Sequence, residues 1–229
     1  MKKYFYKLLG GWLKRRNIYL TGGLYYLYKP PLLELNSFDY VRVATLELVA
    51  SEINSSGVSG AVAELGVYRG GFAKYVNQVF SARTFFLFDT FEGFDERDRE
   101  KGHKAGVAEA HQDFTNTSAE AVLHLMPFRH RCVVRKGYFP DSFAGLEKEN
   151  FAFVSIDADL YEPILRGLEL FYPRLAPGGC IMVHDYNNKN YPGCRKAVLE
   201  YCMANNISTV PVPDIGGTIV IRKPFGRHG

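Results

Sequence analysis

The sequence predicts an α/β domain: a mostly parallel seven-stranded sheet with helices on both faces and an antiparallel hairpin at its C-terminal end. Three observations carry this. Short, mostly apolar runs recur at Ala61–Leu65, Thr84–Phe88, Cys132–Arg135, Phe151–Ile156 and Cys180–Val183, which suits strands buried on both faces of a parallel sheet. Helical patterns separate most of these runs, the signature of βαβ units. Finally, Ile207–Val212 and Thr218–Ile221 flank Pro213-Asp214-Ile215-Gly216-Gly217, a turn that folds two strands into a hairpin.

The elements follow in order. Residues 1–36 form a basic, aromatic arm that Pro30-Pro31 brings to an end, and residues 37–229 form the domain. Ser37 is a candidate N-cap for a helix to about Ile53, with Tyr40, Val41, Ala44, Leu48 and Val49 near helical spacing. Gly57 to Gly60 breaks it before the first strand. The stretch of about 92–130 is too long for a simple connection. It is charged from Glu96 to Lys104, becomes helical around Ser118–Leu125, and is expected either to lie over the cleft as a lid or to be a surface excursion. Glu162-Pro163 starts a further helix, proline being well tolerated at a first helical position. Its buried face is Ile164, Leu165, Leu168, Phe171 and Leu175, and Pro177-Gly178-Gly179 turns into the next strand.

Composition narrows the function classes. With 229 residues and 47% hydrophobic content the chain can bury a proper core and is not a disordered segment. The formal net charge of +4 is misleading. The first 30 residues hold seven Lys and Arg and no acid, and without them 21 basic residues face 24 acidic ones. The body is mildly acidic, so nucleic acid is not an expected partner. The arm is expected to cap the domain, pack on a second subunit of a homo-oligomer, or touch an anionic membrane surface. No run of 18 apolar residues and no signal-peptide pattern occurs. Cys132, Cys180, Cys194 and Cys202 lack metal-site spacing, which fits buried free thiols in a cytoplasmic protein.

Two constellations carry chemistry. Glu64-Leu-Gly-Val-Tyr-Arg-Gly-Gly71 joins the first strand to a helix, the place where an α/β sheet holds a nucleotide-like cofactor. Asp89 ends the second strand, 25 residues after Glu64, and its carboxylate suits the hydroxyl pair of a ribose. The second constellation is Asp157-Ala-Asp159 at one strand end and His184-Asp185 at the next. Neighbouring parallel strands would bring Asp157, His184 and Asp185 to one point, where two carboxylates and an imidazole suit a divalent cation such as Mg. Asp157 or His184 would take a proton from a substrate hydroxyl. Asp159 reads first as a cap for the Glu162-Pro163 helix, a reading that Asp157 at the strand end shares less readily, and His184 reads also as a packed histidine. Asp157-Ala-Asp159 also fits the D-x-D of a metal-dependent glycosyltransferase, which leaves the Glu64 loop without a role.

Five segments together resemble the macrocin O-methyltransferase (TylF-type) family: Glu64 to Gly71, Asp89-Thr-Phe-Glu-Gly-Phe94, Gly137-Tyr-Phe-Pro-Asp141, Asp157-Ala-Asp-Leu-Tyr-Glu162, and Leu175-Ala-Pro-Gly-Gly179 leading to Asp185-Tyr186. They occur in the family's order over about residues 60–200. The resemblance implies a Rossmann-like class I methyltransferase and transfer of a methyl group from S-adenosylmethionine to a hydroxyl of a sugar or related small molecule. It places Glu64, Gly66, Tyr68, Arg69, Gly70, Asp89, Thr90, Phe91 and Asp157 at the cofactor, with Glu64 and Gly66 at its methionine end. It further implies Mg on Asp157, His184 and Asp185, with Asp157 as general base. His184 stands where the family pattern has Asp, which leaves open another metal, or a binding homologue without turnover. The loose glycine spacing agrees: a pyrophosphate needs closely set glycines at a helix N-terminus, whereas S-adenosylmethionine has no phosphate.

Overall fold

The computed structural model describes residues 39–107 and 112–226. The N-terminal arm, and with it Ser37 and the expected subunit or membrane contacts, lies outside the described residues. The first described helix, α1 (Tyr40–Ser55), is capped by Asp39, whose side chain accepts a hydrogen bond from the Arg42 amide. Its buried face differs from the expected one. Val43, Ala44, Leu46, Ala50 and Ile53 point inward together with Arg42 and Glu47, while Leu48 is exposed. Two charged residues interrupt the inward stripe, so apolar spacing alone selects the wrong face.

The remaining elements are β1 (Ala61–Leu65), α2 (Ala73–Val79), β2 (Phe85–Asp89), α3 (Glu96–Lys104), α4 (Ala119–Leu125), β3 (Cys132–Lys136), β4 (Phe151–Ile156), α5 (Tyr161–Phe171), β5 (Leu175–Val183), α6 (Pro192–Ala204), β6 (Thr209–Val212) and β7 (Thr218–Arg222). The seven strands form one sheet in the order β3-β2-β1-β4-β5-β7-β6. β1 to β5 run parallel, and β7 pairs antiparallel with both β5 and β6. The expected strand set is present. The Pro177-Gly178-Gly179 turn is a bulge inside β5: β4 advances from Phe151 to Phe153 while β5 advances from Leu175 to Cys180.

Side-chain alternation divides the layers. Ala61, Ala63 and Leu65 of β1 join a core with Ile164, Leu168 and Phe171 of α5 and Ala197 and Val198 of α6. Phe153 of β4 stacks on Phe80, just after α2, on the opposite face. Helices therefore cover both faces, as expected. The consequence for function lies in β1: Glu64 alternates with Ala63 and Leu65 and so projects to the α1/α2 side. In register beside it is Ser155 of β4. The sheet order reverses between β1 and β4, and in such sheets ligands bind beyond the carboxyl ends of the strands at that switch.

Candidate active site

The carboxyl ends of β1, β2, β4 and β5 are fastened to one another. The Asp157 amide donates to Leu65 O at 2.8 Å, the His184 amide to Ile156 O at 2.9 Å and the Gly66 amide to Phe88 O at 2.9 Å. Gly66 has φ +84, and a Cβ there would stand 2.1 Å from the Asp157 carbonyl oxygen. Only glycine lets the β1 and β4 ends approach this closely. A cleft of about 670 Å³ opens above them, within the range of small-molecule sites.

Glu64 forms part of the cleft floor and is 1% exposed. Ser155 Oγ donates to its Oε1 at 3.4 Å, and its Oε2 has no hydrogen-bond partner among the described residues. Burial pushes its carboxyl up to about 8, with Arg42 opposing and Asp157 adding to the rise. Asp89 accepts from the Tyr68 amide at 2.8 Å on one oxygen and from the Phe91 amide at 2.7 Å on the other. These bonds fix its plane, and each oxygen keeps a lone pair for a ligand.

Asp157 receives Arg42 Nη1 at 3.0 Å and lies 3.1 Å from His184 Nδ1. Burial raises its pKa, but the Arg42 and His184 charges outweigh this and hold it well below the usual carboxylate range. His184 Nδ1 is also 2.9 Å from Asp185 Oδ2, and Nε2 lies 2.7 Å from the Ile215 carbonyl oxygen. A carbonyl only accepts, so Nε2 carries a proton and donates. Nδ1 then faces two carboxylate oxygens, a position that a proton or a metal ion would fill. With a proton there, the Asp157 charge and bonds to Asp157 and Asp185 overcome the effect of burial and raise the ring's pKa to about 10. His184 as general base is corrected by this geometry: one nitrogen is committed to Ile215 and the other points between carboxylates.

Asp159 is corrected as well. The α5 N-cap is Leu160, the cap has no side-chain hydrogen bond, and Pro163 falls inside the first turn rather than at its start. Asp159 instead has φ 58, lines the cleft and is hydrogen-bonded to Asp185. Burial, followed by the charges of Asp157 and Asp185, pushes its carboxyl well above the usual value. Of the residues expected at the cofactor, Glu64, Gly66, Tyr68, Asp89, Thr90 and Asp157 line the cleft. Arg69, Gly70 and Phe91 do not. Arg69 is exposed and donates to Asn116 O, Gly70 abuts Val122 and Met126, and Phe91 is buried beneath the turn.

The described residues of the 92–130 segment contribute Phe94, Asp98, Gln112 and Phe114 to the cleft lining. Tyr68 fastens this segment: its ring meets Phe114 edge-on at 4.9 Å and its hydroxyl reaches Asn116 Oδ1 at 2.6 Å. Arg42 is the functional candidate that sequence reasoning missed. It is 7% exposed, its guanidinium stacks 3.8 Å from the Phe72 ring centroid, and it lines the cleft between Glu64 and Asp157.

The family model of macrocin-O-methyltransferase (TylF) matches residues 31–223. The chain belongs to this family. Among similar curated proteins is an 8-demethyl-8-(2,3-dimethoxy-alpha-L-rhamnosyl)-tetracenomycin-C 4'-O-methyltransferase of Streptomyces olivaceus, 30% identical over 82% of this chain and 73% of that protein. A second is a mycinamicin III 3''-O-methyltransferase of Micromonospora griseorubida, 28% identical over 73% of this chain and 70% of that protein. Among solved structures, the O-methyltransferase NovP superposes with a TM-score of 0.66 at 23% identity, over 81% of this chain and 80% of that chain. CalS11, a calicheamicin methyltransferase, does so with a TM-score of 0.61 at 21% identity. These superpositions establish the shared Rossmann-like fold. Among the described residues, no helix is long and apolar enough to cross a membrane, and the four cysteines are free.

Proposed function

We propose that this member of the TylF family transfers a methyl group from S-adenosylmethionine to a hydroxyl of a sugar, either within a larger small molecule or in a glycan. The observation that carries the reading is the cleft itself. It joins an unpartnered buried carboxyl, Glu64, to a strongly ionised one, Asp157, across the ends of β1 and β4. The cofactor fits this wall: Glu64 Oε2 lacks a donor that the methionine ammonium offers, and Asp89 is oriented for the ribose. When bound, S-adenosylmethionine supplies an electrophilic methyl group on a sulfonium.

The protein's own residues do the rest. Gly66 keeps the two strand ends close, so that the cofactor wall and Asp157 face one space. Arg42 and His184 keep Asp157 ionised; they also make it a weaker base than a free carboxylate, so it accepts the hydroxyl's hydrogen bond first and takes the proton only as methyl transfer makes that proton strongly acidic. Phe94 and Phe114 of the insertion line the cleft together with Tyr191, against which Phe94 packs, and give the acceptor an apolar, aromatic wall. Orienting the hydroxyl oxygen is the main catalytic contribution expected of such a site.

The donor set also suits a divalent cation. Ligand atoms of Asp157, His184 and Asp185 all lie within 4.8 Å of one another, and the Nε2–H bond to Ile215 leaves Nδ1 as the ligating nitrogen. Those three residues would hold the ion, which lowers the pKa of a bound hydroxyl. Manganese binding followed by electron paramagnetic resonance checks this. A bound signal lost in Asp185→Ala supports it, and an unchanged free-ion spectrum with wild type refutes it.

Charge separates this reading from glycosyl transfer. Glu64, Asp89, Asp157, Asp159 and Asp185 line the cleft against Arg42 and His184; burial keeps Glu64 and Asp159 largely protonated in the empty protein, and a cationic cofactor draws those protons off where a nucleotide diphosphate would be repelled by acids that ionise. The deciding experiment incubates the protein with S-adenosylmethionine and a panel of rhamnosylated and other deoxysugar-bearing acceptors. Acceptor gaining one methyl group together with S-adenosylhomocysteine is the expected result. Binding of UDP-sugars without binding of S-adenosylmethionine would overturn it.

A further inference from the structure

Glu64 is not the only charged group left incomplete on the cleft floor. Arg42 Nε is buried and has no hydrogen-bond partner among the described residues. The guanidinium has five N–H donors in a rigid plane, and Nη1 donates to Asp157 Oδ2 at 3.0 Å. Phe72 covers one face of the plane at 3.8 Å, which fixes its tilt. Once Glu64 ionises the two incomplete groups have opposite sign, and they sit close enough for each charge to act on the other. Both are more than nine-tenths buried and both line the same cleft.

An unpaired buried carboxyl oxygen beside an unpaired buried guanidinium N–H is costly in an empty protein, because each polar atom has lost water without gaining a partner. A ligand that completes both carries a donor for Glu64 and an acceptor for Arg42, and the head group of an α-amino acid offers the two on one carbon. We infer that Arg42 is the anchor for the α-carboxylate of the cofactor's methionine moiety, forming with Glu64 a two-point reader of its zwitterion. This rests on the S-adenosylmethionine reading above and adds a residue and a recognition rule to it. Arg42 thereby links two tasks: Nη1 holds Asp157, and the Nε edge holds the cofactor. A cofactor that lacks the carboxylate leaves the Nε edge unsatisfied.

Isothermal titration tests this with two ligands, S-adenosylmethionine and its decarboxylated analogue, on wild type, Arg42→Met and Arg42→Lys. A charged hydrogen-bonding partner is worth about 10- to 100-fold in affinity. Wild type is expected to prefer the carboxylate-bearing ligand by about that factor, and Arg42→Met to abolish the preference. Arg42→Lys, which keeps the charge but not the fork, is expected to shrink it. If wild type binds both ligands equally, the inference is wrong. It is equally wrong if Arg42→Met weakens both ligands alike, because the residue then acts only through Asp157. Should Arg42→Met fail to fold, an unchanged preference in Arg42→Lys overturns the proposal. Wild type that binds neither ligand refutes the cofactor reading itself, a separate and recognisable outcome.

Discussion

Replacing Glu64 by Gln should make the empty protein more stable and the loaded protein worse at holding its cofactor. The carboxyl is 1% exposed, and burial moves its pKa from 4.5 to about 8. In the unfolded chain it loses its proton near the lower value, so between the two the unfolded state has already released a proton that the folded state still holds. Stability therefore falls as pH rises through that window and levels off above pH 8. Each pKa unit is worth about 1.4 kcal/mol, so the full displacement corresponds to ~5 kcal/mol. Relaxation of the surroundings on ionisation offsets part of this, and ~2–4 kcal/mol is the expected loss in wild type between pH 5 and about 8.5. Glutamine has no such titration and can still accept from Ser155 Oγ. Urea unfolding across this pH range is the assay, with S-adenosylmethionine affinity measured in parallel. The expected signature is a flatter stability profile in Glu64→Gln, a gain at pH 8.5, and cofactor affinity about 10-fold lower or worse. A variant whose profile falls as steeply as wild type would refute the assignment of this titration to Glu64. One that binds cofactor normally would remove Glu64 from the methionine end.

Three further expectations follow from the same geometry. Asp157→Asn should lower kcat by about 10²- to 10⁴-fold, the scale of a lost general base, while the protein stays folded; steady-state rates with an identified acceptor check this, and near-normal turnover refutes it. Gly66→Ala meets a backbone oxygen 2.1 Å from its new Cβ at φ +84; the backbone conformation alone costs about 1–2 kcal/mol and the overlap adds more, so chemical denaturation should show a loss of ~3 kcal/mol or more, and a loss below ~1 kcal/mol would mean that the strand ends are not packed this way. Asp98 in α3 is 7% exposed, and burial raises its carboxyl to about 7; its contribution is present below about pH 4 and lost as pH rises through 7, so Asp98→Asn should gain ~1–3 kcal/mol at pH 8 and little at pH 4, and equal stability at both pH values contradicts it.

The strands were legible because each is a short apolar run buried on both faces, from Phe85-Phe86-Leu87-Phe88 to Phe151–Ile156. The strand-end acids were legible for a related reason: an aspartate that closes such a run, as Asp89 and Asp157 do, is conspicuous against it. Arg42 was not legible. A single arginine in a helix reads as solvated surface, and only the register of α1 over Glu64 turns it inward. Asp159 was misread because a carboxylate just before a helix usually caps it, whereas here the chain reaches α5 through a left-handed residue that sends the side chain into the cleft. Arg69 and Gly70 illustrate the opposite error. They belong to a recognisable motif, yet one serves the insertion through Asn116 and the other packs against α4.

Backbone conformation and charge converge on the same edge of the sheet. Among the described residues, five non-glycine positions have positive φ: Tyr68, Phe91, Asp159, Asp185 and Asn206. Four of them follow β1, β2, β4 and β5, and each costs on the order of 1 kcal/mol or more to hold. The inter-strand hydrogen bonds of Gly66, Asp157 and His184 immediately before those turns supply the rigidity that holds them. The result at each turn is directional. Tyr68 and Phe91 offer their amides to Asp89, while Asp159 and Asp185 turn their carboxyl groups toward one another beside Asp157. A sheet edge that concentrates strained turns, an unpaired Glu64 oxygen and an unpaired Arg42 N–H costs stability in the empty state. That cost is lowest when a ligand supplies the missing partners, which is the physical reason to assign cofactor recognition to this edge rather than to the 92–130 segment.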